Sequence, residues 1–265
     1  MSVKNIVLFG QTGAGKSSVV NLMAGEKIAK VSPDLERCTL HWQEYTVAFD
    51  GHSFKVFDTV GFEEPDLGVK EYLDVIANAY NLIAKLQNEG GIHLLLFCVR
   101  AGRFTSTIPN NYRLVYEWLC EKKVPIVLVL TGLEREQRMD DWWTKYKPTF
   151  DKYGIVVDSH ACITSALGLE GRHRQLYEQS RRLIRQLVIQ YTHDDQAAYQ
   201  GGEAWYRKVA RKLWAMTLGK IPKRKNIETV LTNRCGMPPE AAKELAQRIR
   251  SDLLVTQERS LPNVG

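Results

Sequence analysis

The chain has 265 residues, with 36 Lys and Arg against 30 Asp and Glu, a formal surplus of +6. Its residues are 44% hydrophobic and 25% charged, and its mean hydropathy is −0.28. That balance excludes a collagen-like, mucin-like or mostly disordered chain, and the length suits one large domain, or a medium one with a small companion.

No apolar run reaches the ~18 residues of a membrane span. Met1–Asn5 leads straight into an apolar strand, without the apolar core or small-residue cleavage site of a leader. The five cysteines Cys38, Cys98, Cys120, Cys162 and Cys235 are odd in number and widely spaced. They read as reduced structural thiols rather than a disulfide or zinc framework, which places the chain in the cytoplasm.

In chain order, Val3–Phe9 is expected to be a buried strand. Next comes Gly10-Gln11-Thr12-Gly13-Ala14-Gly15-Lys16-Ser17, followed by Ser18 within the helix expected over Lys16–Met23. This is the pattern G-x-x-x-x-G-K-[ST] between a strand and a helix, where a phosphate chain is cradled. Glycines let backbone N–H groups turn inward, and the helix N-terminus adds positive potential. Lys16 then neutralises the β- and γ-phosphates, and Ser17 ligates Mg²⁺. Ser32–Thr39 is a polar stretch, and Thr39 is best placed to complete the Mg²⁺ shell when a γ-phosphate is bound.

His41–Phe49 alternates like a half-exposed strand, and Phe54–Phe57 follows a turn at Asp50-Gly51. Asp58-Thr59-Val60-Gly61 comes next: Asp58 can hold Mg²⁺ through water, and the Gly61 N–H can meet the γ-phosphate. The next residue, Phe62, has a side chain that cannot position an attacking water, so slow hydrolysis is expected. Gln11, Glu63, Glu64, Arg37, Arg100 and Arg103 are the polar residues available to assist.

Tyr72–Leu86 is expected to be helical, Ile92–Val99 a buried strand, Tyr112–Leu119 a helix and Ile126–Leu130 another buried strand. After it, Thr131-Gly132-Leu133-Glu134 is the base-reading loop. Glu134 can accept guanine N1–H and N2–H together, a pair that adenine lacks, and Thr131 can brace the loop. Ile155–Ile163 is expected to be the next strand. Thr164-Ser165-Ala166 follows, where the backbone N–H groups of Ser165 and above all Ala166 can reach guanine O6. Leu176–Tyr191 is an amphipathic helix. Buried strands alternating with helices imply an α/β three-layer sandwich, with a mostly parallel sheet and one antiparallel edge.

These motifs resemble the translation-factor-related P-loop GTPases, and most of all their GIMAP/Toc-like (paraseptin) branch, including fungal G-domain proteins. The residues that carry the resemblance are GQTGAGKSS, Cys38-Thr39, DTVGF, TGLE and TSA, within residues 3 to about 192. The resemblance implies GTP and GDP as ligands, Mg²⁺ as cofactor, switch segments at Ser32–Thr39 and Thr59–Lys70, and a homodimer across the nucleotide as one output. Two departures stand out. Gly132 replaces the Lys whose stem stacks on the base, and Glu134 replaces Asp. An ATP-using protein and a nucleotide-gated scaffold without appreciable hydrolysis are the alternatives.

The domain boundary is expected at 195/196. Residues 196–265 hold 13 Lys and Arg against 6 acids, so residues 1–195 hold 23 against 24. The whole surplus therefore lies in the tail, where Ala204–Leu218, Ile227–Arg234 and Pro239–Leu254 are helix candidates and Gln257–Gly265 is expected to fray. The plainer reading is a helix docked by its apolar stripe with its charges solvated. An anionic membrane surface, reached peripherally, or an acidic protein partner is the alternative. Nucleic acid is disfavoured, because no recognised module or aromatic-bearing sheet accompanies the basic residues.

Overall fold

In the computed structural model, the described residues are 3–30, 42–59, 78, 81–83, 85–193, 197–201, 220–233 and 239–260. Six strands form one sheet: β1 (Lys4–Phe9), β2 (Trp42–Phe49), β3 (His52–Thr59), β4 (Leu94–Arg100), β5 (Ile126–Thr131) and β6 (Ser159–Cys162). Their order is β2-β3-β1-β4-β5-β6. Only the β2–β3 pair is antiparallel, so the expected mostly parallel sheet with one antiparallel edge stands.

β1, β4 and β5 occupy the middle of the sheet, and their residues are almost continuously buried. Such runs of Ile, Val, Leu and Phe suit strands covered on both faces. Phe9 of β1 stacks on Phe97 of β4 with ring centroids 4.8 Å apart. β2 lies at the edge and keeps the in–out alternation of its sequence, with Val47 and Phe49 inward.

The helices that position the site are α1 (Lys16–Ala24), α2 (Thr107–Tyr112), α3 (Met139–Lys152) and α4 (Arg174–Tyr191). Arg113–Leu119 continues α2 as a π-helix, where the sequence suggested one regular helix. At the end of α1, Arg185 of α4 donates to the carbonyls of Met23 (2.8 Å) and Ala24 (3.1 Å). A cation at a helix C-terminus satisfies carbonyls that have no partner within the helix. Asn21 secures the next turn by accepting from the N–H groups of Ile28 and Ala29 and donating to the Ala29 carbonyl.

Several sequence expectations are corrected at their ends. The strand expected over Ile155–Ile163 is only Ser159–Cys162. Ile155 instead closes the end of α3 through its N–H to Phe150 O, Val156 is 71% exposed, and Asp158 bonds Ile126 at the sheet margin. β3 runs on through Asp58 and Thr59, which were expected just beyond it. Tyr199 forms an isolated antiparallel bridge with Ile92, in a stretch expected to hold no β structure.

The chain divides into two compact units, residues 1–64 with 86–200, and residues 65–85 with 201–265. In the second unit, α5 (Arg224–Asn233) packs on α6 (Pro239–Ser260). α6 buries Ala242, Leu245, Ala246, Ile249 and Leu253, one helical stripe. The helix runs to Ser260, past the point where fraying was expected. Residues 81–83 and 85–88 are helical. Asn78 is helical too, while the rest of Tyr72–Leu86, all of Ala204–Leu218, and Arg234 lie outside the described residues. No described helix is long and apolar enough to cross a membrane.

Candidate nucleotide site

The phosphate loop joins β1 to α1, and close packing against the sheet fixes its start. Gly10 has φ 145°, and a Cβ there would run into the carbonyl oxygen of Cys98 on β4. Only glycine fits this approach. Ala14 is fully buried, and its carbonyl accepts from the Thr131 hydroxyl at 2.8 Å. Thr131 at the end of β5 therefore braces the phosphate loop from across the sheet. The Gln11 side chain accepts from Thr105 at 3.1 Å.

Lys16 is 7% exposed and donates to the carbonyls of Gly10 (3.1 Å) and Gln11 (3.0 Å). Its ammonium is thereby held at the mouth of the loop. Ser17 on the first turn of α1 donates to Asp58 Oδ2 at 2.6 Å. Asp58 comes from β3, and β1, which pairs with β3, leads into the phosphate loop, so sheet register sets this contact. Burial raises the Asp58 carboxyl above its ordinary pKa, while the Ser17 hydrogen bond and the Lys16 charge pull it down. Thr59 next to it donates to Leu8 O at 2.7 Å, tying the end of β3 to β1.

A hydroxyl and a carboxylate at hydrogen-bond distance beside a buried ammonium form an oxygen donor set suited to Mg²⁺ next to a phosphate. Thr39 and Gly61, the other residues expected to touch Mg²⁺ or the γ-phosphate, lie outside the described residues, as do Ser32, Arg37, Cys38, Phe62, Glu63 and Glu64.

The base side is built by the loops after β5 and β6. Glu134 Oε2 accepts from the Thr164 hydroxyl at 3.3 Å. The Ala166 N–H points back at the same hydroxyl, also at 3.3 Å. Thr164 is fully buried, and its own N–H is held by Ser180 of α4. It thus links the acid expected to read guanine with the amide expected to meet O6. The sequence marks Thr164 only as the first residue of TSA, with no role for its hydroxyl.

A cavity of about 450 Å³ opens beside this hub, lined by Glu134, Arg135, Ala166, Gly168, Arg172 and His173. Gly168 has φ 71°, and a Cβ there would stand 2.5 Å from the His173 ring and 2.9 Å from the Arg172 stem. Backbone and side chains are therefore in close contact along this wall. Ser165 is half-buried. The Arg100 stem lies beside Gly132: a Cβ on Gly132 would be 3.5 Å from Arg100 Cγ. Sequence reasoning foresaw Glu134 and Ala166 here, but had no signal for Arg135, Arg172 or His173.

Residues 5–132 match the family model described as 50S ribosome-binding GTPase. Those residues have the fold of a P-loop GTPase domain. The class expected from the motifs stands, and the sheet order and phosphate loop are those of this G domain. The chain is 30% identical over 164 residues to the immune-associated nucleotide-binding protein 7 of Arabidopsis thaliana, covering 59% of this chain and 51% of that protein. It is 32% identical over 183 residues to the tRNA modification GTPase MnmE of Sinorhizobium medicae, covering 64% of this chain and 37% of that protein. The chain thus spans about half the length of the first relative and less of the second. Among solved structures, Toc33 from Arabidopsis thaliana in complex with GDP and Mg²⁺ matches the fold of the G domain. The TM-score is 0.53 at 18% identity, over 75% of this chain and 87% of that one.

Proposed function

We propose that the G domain is a Mg²⁺-dependent guanine-nucleotide switch that hydrolyses GTP slowly to GDP and phosphate. The observation that carries the proposal is the Ser17–Asp58 contact at 2.6 Å beside buried Lys16, at the same carboxyl ends of the parallel strands as the Glu134–Thr164–Ala166 hub. Phosphate and base thus have separate, pre-built ends.

Lys16 and the amides of Gly10–Ser18 hold the phosphates. Ser17 and Thr39 ligate Mg²⁺, with Asp58 behind them. When bound, Mg²⁺ neutralises charge developing on the phosphate oxygens. Gly61 senses the γ-phosphate, so Ser32–Thr39 and Thr59–Lys70 rearrange when it leaves. Glu134 accepts from guanine, and Ala166 and Ser165 donate to O6, with Thr131 bracing the loops. Water is the nucleophile. Phe62 offers it no hydrogen bond, Gln11 is engaged by Thr105, and Arg100 lies at Gly132. Each of these supports a low intrinsic rate.

The G domain in this reading is residues 1–195 of a cytoplasmic protein. Residues 196–265 carry the basic surplus and are the part available to an anionic surface or acidic partner. Co-sedimentation with anionic liposomes, with and without excess salt, tests that role.

Nucleotide binding is tested with Lys16→Ala. The variant should lose tight binding of a fluorescent guanine nucleotide, and wild-type affinity would overturn the assignment. Single-turnover phosphate release, run over a range of protein concentrations, tests hydrolysis. A slow rate independent of concentration fits a self-contained switch, and a rate that rises with concentration assigns the missing group to a second copy. No release at any concentration refutes hydrolysis and leaves a nucleotide-gated scaffold.

A further inference from the structure

Asp140, His160 and Cys162 take no part in nucleotide binding as described above, yet their side chains converge. One ligand atom from each, a carboxylate oxygen, an imidazole nitrogen and the thiol sulfur, all lie within 4.8 Å of one another. The arrangement follows from two regular elements. His160 and Cys162 are two apart on β6 and so project from the same face of the strand. Asp140 is in the first turn of α3, which packs against β6.

The surroundings suit a metal ion better than a surface ion pair. Cys162 is 2% exposed and His160 is half-buried, so both are partly dehydrated before any ion arrives. Asp140 is exposed and can swing. Its Oδ1 lies 3.9 Å from His160 Nε2, too long for a hydrogen bond. Tetrahedral zinc with Zn–N and Zn–O near 2.0–2.1 Å and Zn–S near 2.3 Å spaces its ligand atoms about 3.3–3.6 Å apart. The three ligand atoms, all within 4.8 Å of one another, would be drawn closer together by such an ion.

One neighbour, Trp143, contacts two of the ligands. The His160 ring stacks on Trp143, with centroids 4.8 Å apart, which fixes the imidazole plane. Burial and the hydrogen-bonded Asp140 carboxylate push the Cys162 thiol up to about 12, with a backbone hydrogen bond from Trp143 opposing, so the thiol gives up its proton only as an ion binds. Burial lowers the His160 pKa, and Asp140 opposes that shift.

We propose that Asp140, His160 and Cys162 form a three-ligand site for a zinc-class divalent cation, with an open fourth position. One thiolate, one imidazole and one carboxylate make a borderline-soft set that favours Zn²⁺ over Mg²⁺ or Ca²⁺. The site is separate from the oxygen donors Ser17 and Asp58. It would tie the start of α3 to the end of β6, just before Thr164.

The test is titration of the reduced full-length chain with Co²⁺ in excess Mg²⁺, followed by absorption spectroscopy and by displacement with Zn²⁺. One Co²⁺ per chain is expected, with tetrahedral d–d bands and a thiolate charge-transfer band that Zn²⁺ abolishes. Cys162→Ser should remove the charge-transfer band. Asp140→Asn alters only an exposed side chain and preserves the fold. It should weaken Co²⁺ binding by more than about 100-fold, beyond the loss expected for a merely supporting neighbour. No thiolate band in the wild type, a band that survives Cys162→Ser, or unchanged affinity in Asp140→Asn would each overturn the site. Because the readout is spectroscopic and needs no nucleotide, it is independent of the GTPase reading.

Discussion

Replacing Thr131 with Val tests whether the end of β5 holds the phosphate loop in place. The substitution keeps the shape of a side chain that is 3% exposed, but removes the hydroxyl that donates to Ala14 O at 2.8 Å. Ala14 is fully buried, so its carbonyl loses this donor away from water. Stranding a buried acceptor costs about 1–3 kcal/mol. For a domain of this size each kcal/mol moves the Tm by about 2–4 °C, so a fall of roughly 2–12 °C is expected. If about 1.4 kcal/mol of the lost bond is also expressed in the complex, nucleotide affinity falls about tenfold. Thermal unfolding by circular dichroism and fluorescent-nucleotide titration measure the two effects. Thr131→Ser separates bracing from packing: it loses a buried methyl and some stability, but keeps the bond and should bind nucleotide like the wild type. Equal affinity in wild type and Thr131→Val, or equal weakening in both variants, would refute the brace.

Asp58→Asn should act in opposite directions on stability and binding. A carboxyl whose pKa is raised by folding stabilises the protein below its unfolded value, about 3.9, and that contribution is lost as pH rises through the folded value. The nucleotide-free variant should therefore melt above the wild type at neutral pH and converge with it in acid, while its Mg²⁺-dependent gain in nucleotide affinity shrinks; a lower neutral Tm contradicts this. His93 shows the reverse linkage. Its Nδ1 accepts the Asn5 N–H at 3.0 Å, and burial, helped by Lys4, lowers its pKa. The resulting stability holds above about pH 6.5 and is lost as pH falls through the folded value, so His93→Gln should flatten the acid limb of a Tm–pH profile. Glu134→Gln should weaken guanine nucleotide binding at least about tenfold, since a hydrogen bond to a charged group is worth about 1.5–3 kcal/mol; a titration showing no change would remove Glu134 from base reading.

The phosphate end was legible in the sequence because its chemistry is local. Gly10–Ser17 is contiguous, and the strand before it and helix after it follow from periodicity. Asp58 was legible through its short motif, although β3 runs on through it. The base end was legible only in part. Glu134 and Ala166 could be placed by their position after strands, but Thr164 joins them through a hydroxyl whose partner is thirty residues away in sequence. Nothing local marks such a contact. Thr131 was expected near the base, and its hydroxyl turned out to point at the phosphate loop. Arg172 and His173 reach the cavity because Gly168 lets the chain fold back on them, a consequence of tertiary packing that periodicity does not carry. β6 ended up shorter than its apolar run because Ile155 was taken up in closing α3.

The central claim is that this G domain reads guanine. Competition of unlabelled GTP and ATP against a fluorescent guanine nucleotide, in Mg²⁺, tests it most directly. GTP should displace the probe at concentrations at least about 100-fold below those of ATP, a difference of about 2.7 kcal/mol. Displacement by both at the same concentration would show that Glu134 and the Thr164 hub do not select the base.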